Sequence, residues 1–266
     1  MKKMVKLIAI DLDQTLLRNN KTISDYSAKV LKECQARGII VAFATARSVA
    51  QSKRYVEQIE PNATVNSGGA LVCAGIDVIY RRPMSVKVTN TLLQLLCSAE
   101  ESIGYITIEI NEGLFTNMPY ISTEEFWTDS PSVVREDFST NLDVEAFKVI
   151  TSVYNDEILD TIASALPSIY VIKYTDENVV TFFDKGAGKR QGVTALATHY
   201  NIALEEIVAF GDDYNDLEML KGGGVGVAMD NAIDETKDAA DYICDTNEND
   251  GVAKWIEENL LNHNIY

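Results

Sequence analysis

Histidine is nearly absent from this chain. Of 266 residues only His199 and His263 carry an imidazole, so catalysis built on histidine has little material, and His199 is expected on a helix surface. Cysteine is as scarce: Cys34, Cys73, Cys97 and Cys244 are widely spaced with no Cys-x-x-Cys. That argues against zinc clusters and disulfides and leaves small buried hydrophobes as the expectation. Positive charge is short as well. With 23 Lys and Arg against 40 Asp and Glu the formal net charge is −17, which opposes adhesion to nucleic-acid phosphates or anionic lipid. The opening MKKMVKLIAIDLD is interrupted by Asp11, and no later apolar run is long enough to span a bilayer. The expectation is a cytoplasmic protein with no nucleic-acid and no membrane partner; the sequence carries no signal for its oligomeric state. The glycines at 222 to 224 and 226 do not complete a Gly-x-Gly-x-x-Gly loop, since 227 and 229 are Val and Met; a helix stop and close packing account for them.

What is present, 46% hydrophobic residues, suffices for a full core. VKLIAI reads as a strand, followed by a helix from about Ser24 to Arg37 that stops at Gly38. IIVAFAT, Ile39 to Thr45, has the continuous apolar character of a strand buried on both faces. A helix from about Ser48 to Ile59 and a glycine-interrupted strand, ATVNSGGALV, complete a β-α-β-α-β run. From about Met84 the style changes: a helix (Thr89 to Ser102), strands YITIEI and LFTNM around Asn111-Glu112-Gly113, a helical stretch near Thr123 to Trp127, then FKVITSV. A helix from Asp156 to Leu166 and strands SIYVIKYT and NVVTFFD around Asp176-Glu177 follow. After Lys185 helices and apolar strands alternate again to a final helix, Gly251 to Leu261. The fold class expected is α/β, a Rossmann-like parallel-sheet core with helices on both faces plus an inserted α+β cap. Residues 1–84 and 185–266 would form the core and 85–184 the insert. Tyr120, Trp127, Tyr170 and Tyr174 of the insert read as core or interface residues.

In a parallel sheet ligands gather beyond the carboxyl ends of the strands, near a topological switch point. Three apolar runs stop there on polar residues: KLIAI on Asp11, IIVAFA on Thr45, IVAFG on Asp212. Asp11 and Asp13, two apart, can point to one side, where both stay ionised only with a cation between them or with one protonated. Oxygen ligands from Asp11, Asp212 and a backbone carbonyl suit a hard divalent ion such as magnesium.

DLDQT resembles the Asp-x-Asp-x-Thr signature of the haloacid dehalogenase superfamily, and FATAR its second motif. Lys189 in DKGAGKRQGV and the stretch GDDYNDLEML resemble the third and fourth; with VGVAMDNA and NENDGVAKWIE the whole chain is similar to the Cof-type sugar-phosphatase branch. The resemblance implies an α+β cap between the second and third motifs, Mg2+ as cofactor, and a small phosphate ester, a sugar phosphate foremost, as substrate. It implies Asp11 as nucleophile forming a phosphoaspartate, and Asp13 as acid and base, with a carboxyl less acidic than that of Asp11 and a carbonyl on the metal. Thr45 would offer its hydroxyl to the phosphoryl group beside the N–H groups of Leu12 and Ala46, with a helix beginning just after Thr45 adding positive potential. Lys189 would balance charge, Asp212 complete the metal shell, Asn215 contact phosphate, and Asp216 hold Lys189 or a metal-bound water. Ala46 stands where Gly is frequent and Asp213 where a small residue is; Asp213 is expected to face water.

Each motif alone has a plainer reading. DLDQT could be a capping turn, GDDYND could complement a helix dipole, and Lys189 could be a solvated surface residue. A calcium loop is excluded, because its twelfth position would be Thr22 and its sixth lacks Gly. Two other functions stay open at this stage: a phosphotransferase resembling phosphomannomutase, and a binding module without turnover.

Overall fold

A computed structural model describes residues 4–111, 113–118, 133–173 and 178–262. The expected helix near Thr123 to Trp127, the Asp176-Glu177 connection, and Tyr120, Trp127, Tyr174 and His263 lie outside the described residues.

Strand β1 (Leu7–Ile10) leads through a turn at Leu12–Leu16 into helix α1 (Asp25–Ala36), and β2 (Ile40–Ala44), α2 (Val49–Ile59), β3 (Ala63–Asn66), β4 (Leu71–Ala74) and β5 (Asp77–Arg81) follow. The middle holds α3 (Val86–Cys97), β6 (Ile103–Ile110), β7 (Gly113–Thr116), β8 (Val133–Arg135), β9 (Lys148–Val153), α4 (Glu157–Ala165), β10 (Ile169–Lys173) and β11 (Val179–Asp184). The last part holds α5 (Lys189–His199), β12 (Ile207–Gly211), α6 (Leu217–Gly222), β13 (Val225–Met229), α7 (Asp234–Ala239), β14 (Tyr242–Cys244) and α8 (Gly251–Ile256). The chain groups into two compact units, residues 1–47, 52–81 and 188–266 in one, 48–51 and 82–187 in the other.

The first unit is built on one sheet of order β14-β13-β12-β1-β2-β3-β4-β5. From β14 to β3 every pairing is parallel. Beyond β3 the sheet departs from the all-parallel expectation. The glycine-interrupted strand is a hairpin: Ser67, Gly68 and Gly69, at φ 53°, 66° and 101°, reverse the chain, and β4 and β5 add antiparallel strands. The unforeseen β5, DVIYR, lies at the sheet edge with no buried residue.

Side chains of β1 alternate between two cores, Ile8 and Ile10 on one face, Leu7 and Ala9 on the other. The first face is bulky, with Phe43 and Phe210 packed under Val30, Leu31, Tyr55, Val252 and Ile256 from α1, α2 and α8. The second is lined by Ala9, Ala42, Ala44 and Ala209 under Val193 and Leu196 of α5. Those small residues let α5 approach closely: a Cβ on Gly192 would stand 2.3 Å from Val65 Cγ1. The close seating of α5 sets the depth of Lys189 in its first turn.

The second unit is a sheet of order β10-β11-β9-β6-β7-β8, antiparallel except for β7 with β8. Leu92, Leu93 and Leu96 of α3 and Ile158 and Ile162 of α4 pack on Ile106, Ile108, Val149, Val180 and Phe182. Helix α3 starts earlier than the sequence suggests, because the Ser85 hydroxyl caps it by accepting from the Val88 N–H at 3.4 Å. It also ends earlier, at Cys97, and β6 already begins at Ile103. Cys34 and Cys244 are buried, Cys73 and Cys97 half-buried, and all four thiols are free. His199 is exposed at the end of α5. No helix among the described residues is long and apolar enough to cross a membrane.

Candidate active site

Ile10 is paired with Phe210 on one side and Phe43 on the other, so β12, β1 and β2 end level. The residues that follow, Asp11, Asp212 and Thr45, are thereby brought to one edge of the sheet. The Asp11 N–H donates to the Phe210 carbonyl at 3.1 Å. From β1 the chain continues to β2 on one side, while β12 and β13 lie on the other; Asp11 therefore stands at the switch point of the sheet.

Lys189 reaches this edge from α5, its side chain 1% exposed, and donates to Asp11 Oδ1 at 2.7 Å, Asp216 Oδ1 at 2.7 Å and Asn215 Oδ1 at 3.1 Å. The second oxygen of Asp216 accepts from the N–H groups of Asp212 at 3.0 Å and Asp213 at 3.3 Å. Asp212 Oδ1 accepts from the Thr15 hydroxyl at 2.7 Å. Asp213 Oδ1 accepts from the Tyr214 N–H at 2.7 Å, the role of a turn cap. Thr45 is 1% exposed, and its Oγ1 accepts from the Arg47 N–H at 3.1 Å. Leu12 and Ala46 are the next residues after Asp11 and Thr45. The helix expected from about Ser48 starts at Val49, after a loop at residues 46–48, and Ser48 Oγ accepts from the Gln51 N–H at 3.1 Å to cap it.

Asp13 lies in the kinked turn, at φ −69° and ψ 131°, which takes its carbonyl off the helical line. Its carboxylate is gripped by Arg47, Nε to Oδ2 at 2.7 Å and Nη2 to Oδ1 at 2.8 Å, and by Lys21 at 2.8 Å. The Arg47 guanidinium lies 5.3 Å from the centre of the buried Tyr55 ring. Neither Arg47 nor Lys21 was singled out from the sequence. Arg47 sits inside FATAR and offered a signal there, whereas Lys21 lies in a polar loop and offered none.

In the chain alone Asp13 is the more acidic of the two, whereas the order expected above is for Asp11 with a metal bound. Burial pushes the Asp13 carboxyl up, but the hydrogen bonds and charges of Arg47 and Lys21 outweigh it and bring it down to about 2. Burial pushes Asp11 well above the carboxylate range; Lys189 opposes this, while Asp216 and Asp212 add to it. Burial and then Asp216 carry Asp212 to about 7, against Thr15 and Lys189. The resemblance assumed a metal that keeps Asp11 ionised and overlooked the two cations on Asp13.

Oxygens of Asp11, Asp212 and Asp216 lie within 4.8 Å of one another. Asp216 has both oxygens engaged, by Lys189 and by backbone N–H groups. Asp11 and Asp212 are left as two buried carboxylates beside the Lys189 ammonium, an all-oxygen donor set whose carboxyls burial, and then neighbouring carboxylates, make weaker acids than usual. This fits a small hard divalent cation.

A doubly wound sheet with acidic residues and a buried lysine at its switch point defines an enzyme of the α/β class. A family model for haloacid dehalogenase-like hydrolases matches residues 8–256, and the chain belongs to that family. The chain is similar to two Bacillus subtilis proteins, the 5-amino-6-(5-phospho-D-ribitylamino)uracil phosphatases YitU and YcsE. YitU is 30% identical, with 95% of this chain and 96% of the relative covered; YcsE is 28% identical, with 97% and 96% covered. A haloacid dehalogenase-like hydrolase from Bacteroides thetaiotaomicron superposes with a TM-score of 0.81 at 26% identity, over 96% of this chain and 99% of the other. The subclass IIB sugar phosphatase BT4131 shares the fold, with a TM-score of 0.83 at 21% identity over 96% and 98%.

Proposed function

We propose that the chain is a magnesium-dependent phosphatase that hydrolyses small phosphorylated metabolites, sugar or sugar-alcohol phosphates foremost, through a phosphoaspartate on Asp11. The observation that carries this reading is the Asp11–Lys189–Asp216 chain beside Asp212, because it holds a nucleophile, a fixed cation and a metal-binding carboxylate within one hydrogen-bonded cluster. The phosphorylated ribityl chain in the names of YitU and YcsE supports the substrate class.

Asp11 and Asp212, with the Asp13 carbonyl, would hold Mg2+, which when bound supplies positive charge to the transferring phosphoryl group. Asp11 attacks phosphorus with one oxygen. Thr45 Oγ1, the N–H groups of Leu12 and Ala46, Lys189 and Asn215 receive the phosphoryl oxygens. Asp216 keeps Lys189 aimed at Asp11, as its 2.7 Å bond to Nζ allows. Asp13 protonates the departing alkoxide oxygen, so that it leaves as the alcohol, and then takes a proton from the hydrolytic water. With both its oxygens on Arg47 and Lys21, Asp13 is a carboxylate, the form the second step uses; to serve as acid in the first it must release those partners and take up a proton from water. Residues 1–84 and 185–266 would form the catalytic core and 85–184 the cap that selects the leaving group.

The test is phosphate release from sugar phosphates, nucleotides and cofactor phosphates, with magnesium, with chelator, and with Asp11→Asn. Release from several hexose or pentose phosphates, lost on chelation and absent in the variant, is expected. No release from any ester in magnesium would refute the reading.

A further inference from the structure

The stretches VAMDNA and NENDGVA hold no member of the Asp11 cluster, yet the structure brings both against the turn that carries Asp13. Gln14, the next residue, is at φ 58° and ψ 3°, a left-handed conformation that an L side chain keeps only where its surroundings impose it. Two asparagines impose it here. Asn231 Nδ2 donates to the Gln14 carbonyl at 2.8 Å. Asn247, 3% exposed, donates from Nδ2 to the Leu17 carbonyl at 2.9 Å, and has Gln14 Oε1 and Asn19 Oδ1 each at 3.2 Å. The two are joined, since the Asn247 N–H donates to Asn231 Oδ1 at 2.9 Å. Farther along, Arg18 pairs with Asp250 at 2.7 Å, so the same C-terminal segment holds the exit of the turn.

We propose that Asn231 and Asn247 are positioning residues for Asp13. They fix the backbone from Gln14 to Leu17, and because Gln14 follows Asp13 directly, a rotation at Gln14 would move the Asp13 carboxylate away from Arg47 and Lys21, which now set its position. The pin is built from neutral amides, so it sets geometry without adding charge beside Asp11 and Asp212. An apolar residue at 247 would leave the buried Leu17 carbonyl without its donor and release the turn.

The inference rests on the reading of Asp13 as the acid that protonates the leaving group, and leaving-group chemistry separates the two. An alkoxide departs only with a proton, whereas p-nitrophenolate departs without one. The ratio kcat/KM reports the steps up to that departure. For Asn247→Ala and Asn231→Ala, kcat/KM with a sugar phosphate is expected to fall about a hundredfold, the size of a general-acid contribution, and with p-nitrophenyl phosphate less than about threefold. A fall of equal size with both substrates would overturn the proposal, because a merely structural role does not sense the leaving group. If Asn247→Ala fails to fold, Asn231→Ala, whose side chain is exposed, carries the same expectation. Failure of the unsubstituted protein to release phosphate from either ester would instead refute the phosphatase reading.

Discussion

Replacing Asp212 by Asn should make the metal-free protein more stable, and the gain should grow with pH. Burial raises the Asp212 carboxyl from 3.8 to about 7 in the folded chain. The folded state therefore keeps its proton over a range in which the unfolded chain has lost it, so stability is full below about pH 4 and falls until pH passes about 7. A shift of about 3 units at 1.36 kcal/mol each is up to about 4 kcal/mol. Asn carries no charge at any pH and keeps an oxygen for the Thr15 hydroxyl, which lies 2.7 Å from Asp212 Oδ1. Removing the charge also relieves Asp11, which moves the difference in the same direction. Urea unfolding in chelator from pH 4 to 8 should show the two proteins equal at the acid end and the variant ahead by up to about 4 kcal/mol at the other. Magnesium at about a hundred times its dissociation constant should add about 2.7 kcal/mol to the unsubstituted protein and less to the variant, narrowing the gap. Parallel pH profiles in chelator would refute the claim that Asp212 is an uncompensated buried carboxylate.

Lys189→Met removes the ammonium bonded to Asp11 and Asp216 and should cost about 3–5 kcal/mol in denaturant unfolding, because buried carboxylates lose their partner; phosphate release should vanish with it. Gly251→Ala would set a Cβ 1.9 Å from the Asp245 carbonyl oxygen, so a melting scan should register a loss of about 1–3 kcal/mol as the backbone shifts. Burial raises the Cys34 thiol to about 11 and the Cys244 thiol to about 12, leaving almost no thiolate at pH 8. A thiol reagent should then modify only Cys73 and Cys97 in the native protein and all four cysteines in urea.

The parallel strands were legible because each is a short apolar run ending on a polar residue, and strands buried on both faces leave that pattern wherever they occur. Asp11, Thr45 and Asp212 converge because their strands are neighbours in register; the β-α-β alternation implied the parallel β1–β2 pair, while the pairing of β12 with β1 is a long-range contact that it left open. The hairpin of β3 and β4 was not legible: three consecutive residues with positive φ reverse the chain, and only two of them are glycine. The acidity of Asp13 escaped for a different reason. Its neighbours on the chain are neutral, and the cations that lower it arrive from positions 21 and 47 through tertiary structure. The amide pin on Gln14 was hidden likewise, since its donors lie more than 200 positions further along the chain.

The central claim is that Asp11 becomes covalently phosphorylated. Turnover of a labelled sugar phosphate in magnesium, quenched in acid and digested, should yield one phosphorylated peptide, the one containing Asp11, and none from Asp11→Asn. Phosphate release without label on that peptide, or with label on another residue, would contradict the account.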